Sequence, residues 1–249
     1  MATPEALKNQ TVLPWVTIIT VALNAEKHIE QTIASVVNQS YRFIEYILID
    51  GGSSDGTINI INRFSDYIDH VISEKDEGIA DAMNKGLALA TGDYVLFLHA
   101  DDYLKHDRSV ADAVQFFDNA DIVACNIEFG KDHRLCRPRG FSAWTNFKQG
   151  IYHQGTFCRK SLMEKLDGFD NQFRITMDYD FFLRAYHMGA GFVKAPVLLS
   201  VMRDTGISSR KDWKNLKIRF AEEKRVHRKN CKSFVMKAVY KIYWSLYLP

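Results

Sequence analysis

Cysteine is scarce and scattered in this chain of 249 residues. Cys125, Cys136, Cys158 and Cys231 form no C-x-x-C pair, which argues against a zinc site and a disulfide framework and points to a reducing compartment. Long apolar runs are missing too. The opening stretch MATPEALKNQTVLPWVTIITVALN has no charged segment followed by an uninterrupted apolar one, so it does not read as an export signal. Its apolar run from Val16 to Leu23 is too short to cross a bilayer and reads as a buried strand. The expected location is the cytoplasm. No internal repeat or low-complexity tract is present. Net charge is only +2 and says little about partners, but acidic residues gather before about residue 120 and basic ones after residue 210.

What is present is an ordinary globular composition, 47% hydrophobic and 25% charged, in a length that suits one large domain with a modest appendage. WVTIITVA is a β-branched run expected of a strand buried on both faces. Asn24 is placed to cap a helix carrying Ile29, Ile33, Val36 and Val37. FIEYILID predicts a second strand, running through GGSSDG into a helix with Ile58, Ile61 and Phe64. A short strand around Ile68 to Ile72, a helix from about Ile79 to Ala90 and the strand GDYVLFLHADD follow. Such alternation builds a parallel sheet with right-handed crossovers, whose ligands bind outside the carboxyl ends of the strands. Beyond about residue 120 the pattern loosens: DIVACNIEF reads as a strand, HQGTFCRKSL as a strand entering a helix, and MDYDFFLRAYHMG as a helix ended by Gly189. FVKAPVLLSVM is extended, Lys211 to Arg228 a charged helix, and SFVMKAVYKIYWSLYLP an amphipathic one.

Three strand ends carry candidate chemistry. Thr20 to Asn24 closes the first. Asp50 precedes Gly51-Gly52-Ser53-Ser54-Asp55-Gly56, where glycines let backbone approach a ligand and the carboxylate can accept from a base or ribose. This is not G-x-G-x-x-G, and a tight strand-to-helix turn explains it equally well. His99-Ala100-Asp101-Asp102 ends the third; alternation along a strand sets His99 and Asp101 on one side. A carboxylate pair leaving a buried strand needs water, donors or a cation, and magnesium shared with a diphosphate satisfies it; an Asp-rich helix cap is the competing account. Asp178-Tyr179-Asp180 opens the FFLRAYHMG helix, where acid complements the helix dipole or, facing a cleft, acts as a base toward a hydroxyl.

Four stretches together resemble the family 2 glycosyltransferases, whose fold is known as GT-A: VTIITVALNAEKHIEQTIASVVNQSY, ILIDGGSSDGT, SEKDEGIADAMNKGLALATGDYVLFLHADD and HQGTFCRKSLMEKLDGFDNQFRITMDYDFFLRA. They follow the family's order over roughly residues 15 to 190, and SEKDEGIADAMNKG is similar to bacterial enzymes that assemble exopolysaccharide, capsule or lipopolysaccharide. The resemblance implies a single α/β domain over residues 1–210 with a mixed, mainly parallel sheet flanked by helices. Its donor half would span about 15–105 and its acceptor half about 106–210, with a C-terminal helical extension over 211–249. It implies donor binding by Thr20, Asp50, Gly51, Asp81, His99, Ala100 and Asp101. Asp101 would ligate Mg2+ or Mn2+ at the family's D-x-D position, with Asp102 behind it. Asp178 falls where the family places its general base, while Asp180 supports the helix. His153 and Gln154 lie in its HQ-x-x-F stretch beside the acceptor, and the loop from Arg203 to Arg210 resembles a lid in which Ser208 and Arg210 meet phosphate. Two departures stand out: His99 replaces the first Asp of D-x-D, and Met177 replaces an acidic residue before the base.

The implied reaction is inverting transfer from a nucleoside-diphosphate-sugar to a hydroxyl of a glycan or polyprenyl-diphosphate-linked glycan. The tail interleaves Lys232, Lys237 and Lys241 with Phe234, Tyr240, Tyr243, Trp244 and Tyr247, which suits a membrane interface. A helix packed on the core and a homodimer contact are the competing readings. Rival functions are a sugar nucleotidyltransferase, although VALNAEKH lacks the glycine-rich loop of that class, and a non-catalytic nucleotide-sugar-binding protein. No recognition-helix or stacking-sheet signature accompanies the basic tail, which argues against nucleic acid.

Overall fold

A computed structural model describes residues 13–118, 120–206 and 212–247. Strands β1 (Val16–Ala22), β2 (Ile44–Asp50), β3 (His70–Ser73) and β4 (Tyr94–Phe97) alternate with helices α1 (Ile29–Val37), α2 (Thr57–Asn62) and α3 (Ile79–Leu89). β1 lies between β2 and β4 and runs parallel to both, with Ala22 beside Asp50 and Ile19 beside Phe97. Their carboxyl ends therefore open on one edge.

The second half interleaves rather than appends. β5 (Tyr103–Leu104), α4 (Ser109–Val114), β6 (Ile122–Phe129), β7 (Arg134–Cys136), β8 (Thr156–Arg159), α5 (Lys160–Lys165), α6 (Met177–Met188) and β9 (Phe192–Met202) complete a nine-stranded mixed sheet. Its order is β3-β2-β1-β4-β8-β6-β9-β5, with β7 paired to β6. β8 runs antiparallel to β4 and β6, whereas β6 and β9 are parallel. The β6–β9 register slips between Ala124 and Asn126, opposite Pro196. A proline has no N–H to give the ladder, so the slip there follows from chemistry.

Every residue of β1 is buried, as its apolar composition requires. Alternate side chains enter opposite cores. Ile19 and Val21 pack with Met83 of α3, Met163 of α5 and Phe181 of α6. Ile18 and Val16 pack with Ile29 and Ile33 of α1 and Val110 of α4. Gly189 ends α6 at φ 77°, a left-handed cap natural to glycine.

Asn24 departs from expectation. It does not cap α1, whose preceding residue is His28. At φ 50° it is left-handed, and its Oδ1 accepts from Ser54 N at 2.9 Å. The side chain serves the facing loop because that loop offers N–H donors thirty residues away. Phe64 also falls just past the end of α2.

Helices α7 (Trp213–Asn230) and α8 (Phe234–Tyr247) pack back onto the domain. His227 of α7 is buried and stacks on Tyr240 of α8 at 4.3 Å. Trp244 Nε1 donates to its Nδ1 at 3.0 Å. An indole N–H can only donate, so Nδ1 accepts and Nε2 carries the proton. Nε2–H then meets the Tyr179 hydroxyl of α6 at 2.8 Å, and that hydroxyl donates to Thr145 O at 3.2 Å. This chain needs a neutral imidazole, and burial lowers the His227 pKa from 6.5 to about 4.

Between those two values the unfolded chain binds a proton that the folded one refuses, so stability is full above pH 6.5 and falls as pH drops toward 4. The loss amounts to roughly 3 kcal/mol by pH 4. Thermal melts from about pH 7 to about pH 4.5 should show a downward slope that is shallower in His227→Phe, whose melting point at neutral pH is itself lower; equal slopes would contradict the assignment.

Candidate functional site

A cleft of about 800 Å³ opens where β1 and β4 end, closed on its far side by the start of α6. Its first wall is built by the loop after β1 and by residues 76–82, which lead from β3 into α3. Gly51 N donates to Ala22 O at 2.8 Å, clamping the two strand ends together. A Cβ on Gly51 would stand 2.3 Å from Asp76 Oδ2, so glycine is what lets Asp76 sit there, at the cleft wall. Asp81, one turn into α3, also lines the cleft; its carboxylate accepts from Glu77 N at 3.0 Å and faces Lys85 at 3.4 Å.

Asp50 has a different place. It is fully buried, and its carboxylate accepts from Ser53 N at 3.0 Å, Gly52 N at 3.2 Å, Ser53 Oγ at 2.5 Å and Ser73 Oγ at 2.7 Å. These bonds make it the organiser of the GGSSDG turn, and it is not among the residues lining the cleft. Thr20 is likewise fully buried, accepts the Tyr46 hydroxyl at 3.1 Å and does not reach the cleft. The structure thus places Thr20 and Asp50, expected at the nucleoside, in hydrogen bonds behind the cleft, and Gly51 is not on its lining either.

The second wall is His99 to Asp102. β4 stops at Phe97, and Asp102 N donates to His99 O at 2.9 Å, which closes a turn. Strand alternation therefore does not relate His99 to Asp101, yet His99, Ala100, Asp101 and Asp102 all line the cleft. Asp102 is 1% exposed and accepts from Arg203 N at 2.9 Å; burial, then the neighbouring Asp101, raises its pKa well above the ordinary carboxylate value. Asp101 accepts one side-chain bond, from Thr205 Oγ1 at 2.8 Å. Arg203 binds Asp101 O and Gln31 and lies 4.8 Å from the Tyr103 ring. It thus ties the 203–206 segment over this corner. Ser208 and Arg210 lie outside the described residues.

No cluster of three or more metal-ligating side chains exists among the described residues. The donor set still fits a hard divalent ion shared with a diphosphate, because magnesium takes one or two carboxylates and completes its shell with phosphate and water. Asp101 would be that carboxylate. His99 Nε2 is buried without a partner, and an imidazole nitrogen beside such a site tolerates manganese as well. Burial and the adjacent His153 push the His99 pKa well below its ordinary value, so it is neutral at neutral pH.

The third wall is the start of α6. Asp178 is 8% exposed and lines the cleft. Its Oδ1 accepts from Tyr179 N at 2.7 Å, while Oδ2 accepts from Gln149 Nε2 at 2.5 Å and stands 3.1 Å from His153 Nδ1. The His153 and His99 rings lie 4.5 Å apart, linking this wall to the second. Gln154 also lines the cleft, and Ser200 Oγ donates to its carbonyl at 2.7 Å. Asp180 is fully buried and faces away from the cleft; Arg184, Lys229 and Asn230 meet it at 2.7, 3.1 and 2.8 Å.

Residues that sequence reasoning did not single out complete the wall. Glu222, on α7, is buried and takes the backbone N–H of Arg174 at 3.0 Å, Ile175 at 2.8 Å and Thr176 at 3.0 Å. A carboxylate from one helix thereby fixes the segment that leads into Asp178. Gln149 reaches Asp178 from a loop. Neither stands in a local pattern that could have flagged it. Asp76 could have been found, because it sits in SEKDEG between a strand and a helix.

The family model described as glycosyl transferase family 2 matches residues 17–188. The chain is 37% identical over 183 residues to an uncharacterized glycosyltransferase of Mycobacterium tuberculosis, an alignment covering 70% of each. It is 31% identical over 186 residues to a PGL/p-HBAD biosynthesis glycosyltransferase of Mycobacterium bovis, again 70% of each. Among solved structures, it shares the fold of TarS from S. aureus, with a TM-score of 0.69 and 18% identity over 87% of this chain. The mannosyltransferase PcManGT from Pyrobaculum calidifontis, solved with GDP-Man and Mn2+, gives 0.66 and 24% over 87%. The alignments span 65% and 64% of those two chains, respectively. A mixed sheet with its cleft at the strand ends defines a GT-A-type fold. The chain belongs to the family 2 glycosyltransferases.

If Glu222 holds the start of α6 and Asp178 in place, Glu222→Gln leaves a single carbonyl oxygen for three N–H donors. The melting point should drop, with turnover lowered about ten-fold or more while nucleotide-sugar Kd moves less than about two-fold. A lowered melting point with unchanged turnover would reduce Glu222 to a purely structural residue.

Proposed function

We propose that the protein is an inverting transferase. It moves a sugar from a nucleoside-diphosphate-sugar to a hydroxyl of a glycan, including one carried on a polyprenyl diphosphate, in assembly of a bacterial surface polysaccharide. The supporting observation is that Asp101 and Asp178, delivered by separate elements, line one cleft. TarS has been solved with UDP-GlcNAc and PcManGT with GDP-Man, which supports a UDP- or GDP-sugar as donor.

In this reading the diphosphate lies at the Asp101 wall, under Arg203, and the acceptor hydroxyl at the Asp178 wall. Asp178 takes the hydroxyl proton as that oxygen attacks the anomeric carbon from the face opposite the diphosphate. The bond from that carbon to the phosphate oxygen breaks with the electron pair leaving on the nucleoside diphosphate, so configuration inverts. A divalent ion held at Asp101, Mg2+ or Mn2+, would supply neutralising charge to the diphosphate. Gln149 and His153 hold the Asp178 carboxylate in one orientation, which keeps the base aligned before substrate arrives. Burial raises the pKa of Asp102, which is met by Arg203 N, so its negative charge beside the phosphates is disfavoured.

Asp178→Asn should lower transfer by about a thousand-fold and leave nucleotide-sugar binding nearly intact, as judged by turnover and calorimetry. Turnover equal to wild type would remove Asp178 from the mechanism. In Asp101→Ala, nucleotide binding should weaken about ten-fold in manganese and by much less in chelator; equal losses in both would dissociate Asp101 from the ion. A thermal-shift screen against UDP-, GDP- and dTDP-sugars identifies the nucleotide, because a ligand that binds only the folded state raises its melting point.

A further inference from the structure

Helix α8 turns one face inward and leaves the other bare. The inner face is occupied: Tyr240 and Trp244 are 6% and 5% exposed, and the Tyr240 hydroxyl donates to Asn146 O at 2.8 Å. On the outer face, Val235, Val239, Ile242 and Leu246 are 72%, 37%, 62% and 82% exposed. Their spacing alternates four, three and four residues, the seam by which one helix lies along another. Phe234, at the start of the helix, is 86% exposed and extends the bare surface. Side chains of this size expose on the order of 150–200 Å² when free, so the five present roughly 600 Å², near the ~800 Å² that each side of a standard interface buries.

Charge and shape together select the occupant. The positions flanking the seam are Met236, Ala238, Tyr243 and Ser245, none of them charged. At about 100° per residue, Lys237 falls opposite the seam and Lys241 about a third of a turn from it. A second α8 laid on the seam therefore meets no like charge. Ala238 and Ser245 are small and exposed, which lets a second backbone come close. The Ser245 hydroxyl already donates to Ile242 O at 2.7 Å, so covering it strands no donor. A bilayer calls for a wider apolar arc bordered by basic residues, which this narrow seam lacks. A foreign helix is chosen by charges along the flanks, and those are absent too. What fits an uncharged seam is its own copy, joined about a two-fold axis.

We propose that the protein forms a two-fold dimer in which the outer faces of two α8 helices pack against each other. Each α8 is then held between two bodies. Its inner face carries the bond to Asn146, three residues before the Gln149 that orients Asp178, so the pairing steadies the loop behind the acceptor wall. That consequence rests on the transferase reading; the pairing itself does not.

The test is sedimentation equilibrium of the full chain between about 1 and about 100 µM, where twice the mass of one chain is expected. Ile242→Asp with Leu246→Asp should return the mass of one chain, raising the dissociation constant at least about a hundred-fold. Ile242→Ser with Leu246→Ser serves if the aspartates impair folding, which circular dichroism of each protein reports. Lys237→Glu with Lys241→Glu should leave the dissociation constant within about two-fold of wild type, because both lysines lie off the seam. Nucleotide-sugar hydrolysis is measured in parallel, and its failure in every protein speaks against the transferase reading alone. The dimer is overturned by a single-chain mass throughout that range, by a dimer that survives the Ile242 and Leu246 substitutions, or by its loss on the lysine substitutions. A single-chain protein that co-sediments with phosphatidylglycerol vesicles until Ile242 and Leu246 are replaced also overturns it, putting a bilayer on this face instead.

Discussion

A carboxylate withdrawn from water must be met by donors or give up its charge. That constraint separates the acidic residues of this protein into those that build and those left for a ligand. Asp50 is consumed by the turn after β2, Glu222 by the backbone leading into α6, and Asp180 by cations and an amide from α6 and α7. Asp102 is met by Arg203 N and driven toward its neutral form. Asp101 and Asp178 remain at the cleft, each anchored but with its side chain on the wall. The electrostatics of the site follow from that sorting.

Glu222 and Asp180 also tie the C-terminal helices to the rest of the domain. Both carboxylates lie at the first turn of α6, and both depend on α7. Helix α8 adds a third tie: Trp244 bonds His227 of α7, and His227 bonds Tyr179 in the first turn of α6. The C-terminal helices are thus part of what positions Asp178, and disturbing their packing is felt at the cleft.

Much of the fold was legible in the sequence because its first half obeys local rules. The β-branched runs before Asn24 and Asp50, the periodicity of α1 and α3, and Gly189 after α6 each specify structure within a few residues. What was hidden depends on distant partners. The antiparallel insertion of β8 beside β4 requires knowing which strand edge is free. Asn24 reads as a cap because asparagine often is one, but here loop donors from the next crossover claim it. Asp50 and Thr20 carry the residue types of a nucleoside pocket, yet Ser53, Ser73 and Tyr46 hold them inside the protein. For Asp101 and Asp178 the residue type at a strand end and a helix start was readable, whereas Gln149 and Glu222 act across 29 and 46 residues and leave no local trace.

The central claim is that a donor's diphosphate and an acceptor hydroxyl meet in the one cleft between Asp101 and Asp178. Anomalous diffraction from crystals soaked in Mn2+ with the nucleoside diphosphate that most stabilises the fold tests it most directly. A manganese peak within coordinating distance of Asp101, with the nucleotide in that cleft and its terminal phosphate facing Asp178, is the predicted result. Manganese and nucleotide bound together on another surface, with this cleft empty, would contradict the account.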